Sequence, residues 1–169
     1  MLFALLALAD ATAQAYPEPL TPAGRGEVQC YAPTDHKTCA SIAGYVANGD
    51  GTFANNASVM LSKQPFVVMQ TTTPVSIRGG AVCGVIHSQD IIGGSLRING
   101  QAVPPDKAAP LLTRIAASLD QVIGHEICTV YTPDGNDVVA RATMDGKAQP
   151  AQDQKVIWVA PADGYTVAP

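Results

Sequence analysis

Short β-branched runs bounded by turn residues constrain the fold of this chain more than any other feature. The run "CASIAGYVA" is followed by "NGDG" and then by "TFANNASVML". Asn-Gly and Asp-Gly between β-compatible runs are strong hairpin signals, so we expect residues 40–47 to pair with 52–61. Further on, Thr73-Pro74 separates "FVVMQTTT" from "VSIR", and more short runs follow residue 125. Such spacing is typical of an antiparallel sheet.

Residues 104–124 have the periodicity of a helix instead. In "PPDKAAPLLTRIAASLDQVIG" the large apolar residues recur every three to four positions. Proline suits the first turn of a helix, and Gly124 is placed to end it. The expected fold class is therefore α+β. It is an antiparallel β-sheet, arranged as a meander or half-barrel and packed by one main amphipathic helix near 106–123.

The amino terminus predicts export. "MLFALLALADATAQA" combines a short apolar run with a small-x-small cleavage box, so residues 1–15 are interpreted as a signal peptide. Residues 16–26 are predicted to be a flexible Pro-rich lead, and 27–169 a single α+β domain. No later segment is apolar over the length that a bilayer requires, so no membrane span is expected after cleavage. The arrangement resembles small secreted proteins of Gram-negative bacteria, which implies a periplasmic or secreted location.

Four cysteines are then interpreted in an oxidising compartment. Their even number favours two disulfides, and we expect Cys30–Cys39 and Cys83–Cys128. The first pair would close a short loop of turn-forming residues, whereas the second would join distant segments. The other two connectivities remain open at this point.

A metal site is the alternative use of the same region. Cys83, His87, His125 and Cys128 are the ligand types of a structural zinc site. Cys83 and His87 lie in the run "AVCGVIH", and His125 and Cys128 lie in "HEICTVY"; both runs are predicted strands. On a strand, residues three apart, such as His125 and Cys128, face opposite sides of the sheet. Residues four apart, such as Cys83 and His87, are separated by about 13 Å. Disulfides are therefore the preferred interpretation, and no metal or other cofactor is expected.

Charge argues against one class of partner. The formal net charge is -4, and the 10 Lys and Arg residues are scattered along the chain. A nucleic-acid-binding protein needs a clustered basic patch, so DNA or RNA binding is not expected.

Catalytic signals are few. No serine lies in a G-x-S-x-G elbow, and "HEICT" has Thr129 where a metalloprotease motif has its second His. The remaining candidates are His125 as a general base, Glu126 as its partner, and His87 in the same cleft. They define one hypothesis, a small periplasmic hydrolase, which would require a deep pocket that holds both a His and an acid.

The preferred hypothesis is a non-enzymatic one. We expect an exported, disulfide-stabilised binding or inhibitor-like protein of the envelope, with a protein or small-molecule partner that the sequence does not identify. The hydrolase using His125 and Glu126 and the Cys/His metal-binding protein are the two alternatives.

Overall fold

The computed structural model describes residues 14–169. The predicted signal peptide, residues 1–15, lies outside the described residues except for its last two. The strands, in chain order, are β1 (Val28–Tyr31), β2 (Thr38–Cys39), β3 (Ser41–Ala47), β4 (Phe53–Lys63), β5 (Phe66–Arg78), β6 (Ala81–Val85), β7 (Ser95–Ile98), β8 (Gln101–Ala102), β9 (Glu126–Asp134), β10 (Asp137–Met144), β11 (Lys147–Ala148), β12 (Gln154–Val159) and β13 (Thr166–Val167). The helices are α1 (Ser88–Ile92) and α2 (Pro105–Ser118), with 3₁₀ turns at Thr21–Arg25, Pro150–Gln152 and Pro161–Asp163.

Eight of these strands close into an antiparallel β-barrel. Their order around the barrel is β5, β4, β3, β1, β12, β10, β9 and β6, after which β6 pairs with β5 again. The expected α+β half-barrel packed by a main helix is therefore wrong, because the sheet closes on itself. The hairpin expected across "NGDG" is present as β3 and β4.

Strand β5 makes the closure possible. It pairs with β4 along one edge, while its other edge pairs first with β7, at 67–70, and then with β6, at 75–78. Pro74 lies between these two paired stretches. Proline is tolerated in a strand where its missing N–H is not needed by the ladder. The chain can therefore run as one long strand through a position that resembles a break in the sequence.

Helix α2 lies beside the barrel and packs against α1 and β7. Its buried residues are Ala108, Leu112 and Ala116. It ends at Ser118, five residues before the predicted end, because the backbone N–H of Gly124 bonds to the Ile86 carbonyl at 2.9 Å and draws the chain toward β6. Within residues 14–169, no helix has the length and hydropathy needed to cross a membrane.

Two of the apolar clusters contribute residues to the interior of the barrel. One contains Leu20, fully buried, together with Phe53, and the ring of Tyr16 lies 5.2 Å from that of Phe53. Residues 16–26, for which the sequence predicts a flexible lead, thus include a 3₁₀ turn packed into this cluster. The other cluster joins Met69 and Ile91 to the buried face of α2.

Candidate functional site

The barrel contains a cavity of about 290 Å³, which is lined by residues of both clusters. Strands β1, β3, β4, β5, β6 and β9 line it, and Ile91, Leu119 and Val122 bound it on the side of the helices. Among the described residues that form this lining, none is Lys, Arg, His, Asp or Glu. A neighbouring space of about 360 Å³ shares Tyr31, Ile127 and Thr129 with the cavity.

Small side chains leave this space open. Successive residues of a strand face opposite sides, so Asn55, Ala57 and Val59 all point into the barrel from β4. Ala57 is paired with Thr71 of β5, another short side chain. At Gly84 an added Cβ would lie 2.9 Å from the Pro74 carbonyl oxygen, so the close approach of the two strands requires glycine. Small side chains on the inward faces of the strands therefore leave part of the barrel interior unfilled.

One end of the cavity is polar because three tyrosines surround Gln29, and we call this group the tyrosine floor. The hydroxyls of Tyr31 and Tyr45 each donate to Gln29 Oε1 at 2.8 Å, and that of Tyr131 does so at 3.2 Å. The hydroxyl oxygens of Tyr31 and Tyr131 are 2.9 Å apart. Gln29 has no exposed surface.

The tyrosine floor holds one more hydroxyl proton than Gln29 can accept. An amide oxygen has two lone pairs, whereas three hydroxyls point at Gln29 Oε1. The third proton is therefore available to a neighbouring hydroxyl or to a bound molecule. Gln29 Nε2 is buried without a hydrogen-bond partner in the described part of the chain.

Asn55 adds a second unsatisfied polar group beside the tyrosine floor. Its Oδ1 is buried and has no partner among residues 14–169. In the ladder, Asn55 lies opposite Tyr45 on one side and Thr73 on the other. Directly opposed residues on one sheet face have Cβ atoms about 5 Å apart. The lining therefore includes an unsatisfied acceptor on the residue that lies directly opposite Tyr45, a member of the tyrosine floor.

Burial keeps two phenols of the tyrosine floor, Tyr31 and Tyr45, protonated. Removal from water is the main cause that raises the pKa of Tyr31 and of Tyr45 well above the ordinary value of 10.0, and Tyr131 raises both further. These hydroxyls therefore act as hydrogen-bond donors at neutral pH.

The structure gives the predicted catalytic residues separate partners. His125 Nδ1 lies 2.6 Å from Asp145 Oδ2, and the Glu126 backbone N–H donates to Asp145 Oδ1 at 3.0 Å. The Glu126 side chain forms an ion pair with Arg78 instead. These hydrogen bonds, the one from His125 first, hold the pKa of Asp145 below its usual value. His125 and Glu126 thus form no acid–base pair with each other.

His87 lies at the start of α1. Its backbone N–H donates to Asp90 Oδ2 at 2.8 Å, within a capping box. None of His87, His125 and Glu126 lines the cavity.

The cysteines form two disulfides, Cys30–Cys39 and Cys83–Cys128. No cysteine in the described residues is free, so none offers the thiolate that the Cys/His metal alternative requires. The same part of the chain contains no group of three His, Cys, Asp or Glu placed to hold a metal ion.

Comparisons with known proteins add no constraint on function. No family model, curated protein or solved structure matches this chain significantly. The hydrolase hypothesis expects a pocket with both a His and an acid, and the described residues that line this cavity include neither. The residues that do meet there were not singled out from the sequence: they are Gln29, Tyr31, Tyr45, Asn55 and Tyr131.

Proposed function

We propose that this protein is an exported barrel that binds one small, largely apolar molecule inside its cavity. The observation that carries the proposal is a volume of about 290 Å³ whose wall is apolar and whose floor is polar. Ligand sites combine apolar walls with a few placed polar groups, and this volume is at the lower end of their usual range of roughly 300–1,000 Å³. A small ligand is therefore expected.

The chemistry of the lining favours binding over catalysis. The tyrosine floor supplies hydrogen bonds, but Tyr31 and Tyr45, whose pKa values are raised by burial, stay protonated and do not serve as bases at neutral pH. Among the described residues that line the cavity, none carries a carboxylate or an imidazole. Among the earlier hypotheses, a non-enzymatic binding protein with a small-molecule partner is the one we retain.

Export is supported by the two disulfides. Bonds of this kind persist in the periplasm or outside the cell and are rare in a reducing cytosol. We therefore place the proposed binding in the envelope or outside it. An apolar ligand in that aqueous compartment is poorly soluble, and binding inside the barrel would shield it from water.

The test is a titration with N-phenyl-1-naphthylamine, an uncharged probe that fluoresces in apolar surroundings. Wild-type protein should bind it saturably. Ala57→Phe places a ring in the cavity and should weaken binding at least tenfold, whereas Ala54→Phe adds the same ring on the outward side of β4 and should have little effect. No saturable binding by the wild type, or equal binding by all three proteins, would refute the proposal.

A further inference from the structure

The charge of the ligand is restricted by the lining of the cavity. Among the described residues that line it, the ionisable side chains are the phenols alone, and burial keeps Tyr31 and Tyr45 neutral. A carboxylate or ammonium group placed there would lose its water without gaining an opposite charge. The cavity therefore selects against ionised ligands.

The polar end of the ligand is restricted by two polar groups of the lining. Three hydroxyls point at Gln29 Oε1, which accepts two hydrogen bonds, and the third proton lies between the Tyr31 and Tyr131 hydroxyl oxygens, 2.9 Å apart, from which a ligand oxygen can take it. Asn55 Oδ1, opposite Tyr45 in the ladder, has no donor among the described residues. A ligand group that accepts one hydrogen bond and donates one matches both.

We infer that the ligand is a neutral alcohol or phenol whose hydroxyl oxygen accepts from the tyrosine floor and whose hydroxyl proton goes to Asn55 Oδ1. This inference rests on the proposed function. An ether or ketone accepts but cannot donate, and a hydrocarbon does neither. A hydroxyl satisfies both groups with a single atom and carries no charge into the cavity.

The apolar part of the ligand then extends along the barrel. From Asn55 to Val59, both of which line the cavity, the strand rises about 13 Å over four residues. Ile91, Leu119 and Val122 lie at the side of the cavity formed by the helices. A compact ring system or a short chain therefore fits with its hydroxyl at the tyrosine floor.

Three matched compounds test this by calorimetry at neutral pH: 2-naphthol, 2-methoxynaphthalene and naphthalene-2-carboxylate. We expect 2-naphthol to bind roughly tenfold more tightly than the ether, because one hydrogen bond is lost, and the carboxylate to bind most weakly. Equal binding by the naphthol and the ether, or tightest binding by the carboxylate, would overturn the inference.

Two neighbouring asparagines provide the matched variants. Asn55→Leu removes the proposed acceptor and should bring the naphthol and the ether to similar affinity. Asn56→Leu changes the adjacent residue, which faces out and accepts from Thr72, and should keep the difference. An unchanged preference in Asn55→Leu would refute the assigned contact.

Different results would refute the proposed function and the proposed ligand class. If none of the three naphthalene compounds binds and N-phenyl-1-naphthylamine does not bind either, the proposed function is wrong. If they bind without preference for the hydroxyl, only the ligand class is wrong.

Discussion

Gln29 organises the polar end of the barrel interior. It is the buried polar residue around which Tyr31, Tyr45 and Tyr131 are arranged. Its strand is buried on both faces, since Cys30 belongs to an apolar cluster on the other side. An acceptor at this position therefore sets where three hydroxyl groups point.

Gln29→Leu should destabilise the protein by about 2 kcal/mol. The substitution leaves two buried hydroxyls without an acceptor, at about 1–3 kcal/mol each, and this is offset in part because the unpartnered Nε2 is removed as well. Urea unfolding measures the change.

Gln101→Leu is the control for this measurement, because Gln101 is exposed on β8, and it should change the free energy of unfolding by no more than about 0.5 kcal/mol. Equal effects of the two substitutions would contradict the role given to Gln29.

Sequence patterns predicted some of these residues and missed others for a definable reason. The even cysteine count favoured the disulfide pairs that are present, and Cys83 lies directly opposite Cys128 in the ladder. Gln29 was missed because "EVQCY" alternates as if Val28 and Cys30 faced the interior. They face an outer cluster that includes Tyr165, so the usual alternation is reversed there. Period-2 patterns cannot distinguish the two faces when both are covered.

At the scale of elements, runs and turns were predicted better than their lengths. The β3–β4 hairpin follows from Asn-Gly and Asp-Gly chemistry, which is local. Strand β5 continues through Pro74 because its pairing partner on one edge changes there from β7 to β6. This change depends on tertiary structure, which local sequence does not reveal. Helix α2 ends early for a similar reason, the bond from Gly124 to Ile86.

Two adjacent leucines test how α2 packs. Leu112 is 1% exposed and Leu111 is 37% exposed. Leu112→Ala should cost about 3 kcal/mol of unfolding free energy, since it leaves a cavity among α1, β7 and α2, whereas Leu111→Ala should cost less than about 1 kcal/mol. Chemical denaturation compares them directly. A larger loss at Leu111 would mean that the helix presents a different face to its neighbours.

At the scale of the whole molecule, closure was the feature that the sequence did not predict. Each strand signal is local, but a barrel requires β5 to pair with strands on both of its edges at once. The cavity follows from closure together with small inward residues such as Ala57 and Gly84. Local sequence patterns do not indicate that the interior of such a barrel is partly empty.

The stability of the barrel should fall at alkaline pH because of the tyrosine floor. The pKa of Tyr45 is raised in the folded state, whereas the unfolded phenol ionises near 10. Above about pH 10 the unfolded chain therefore binds fewer protons than the folded one, and stability decreases as pH rises. Each phenol of this kind contributes about 1.4 kcal/mol per pH unit.

Tyr45→Phe isolates this effect. Urea unfolding from about pH 9 to about pH 11 should show a smaller loss of stability in the variant, by about 1.4 kcal/mol over this whole range. Tyr165→Phe, outside the tyrosine floor, should keep the slope of the wild type. Identical slopes for wild type and Tyr45→Phe would show that this phenol is not held protonated by the fold.

The most direct test of internal binding is a crystal structure of the protein with N-phenyl-1-naphthylamine. We expect the probe inside the barrel, between Tyr31 at the tyrosine floor and Leu119 at the side of the helices. A probe bound only on the outer surface, with the interior filled by the protein's own side chains, would contradict this expectation.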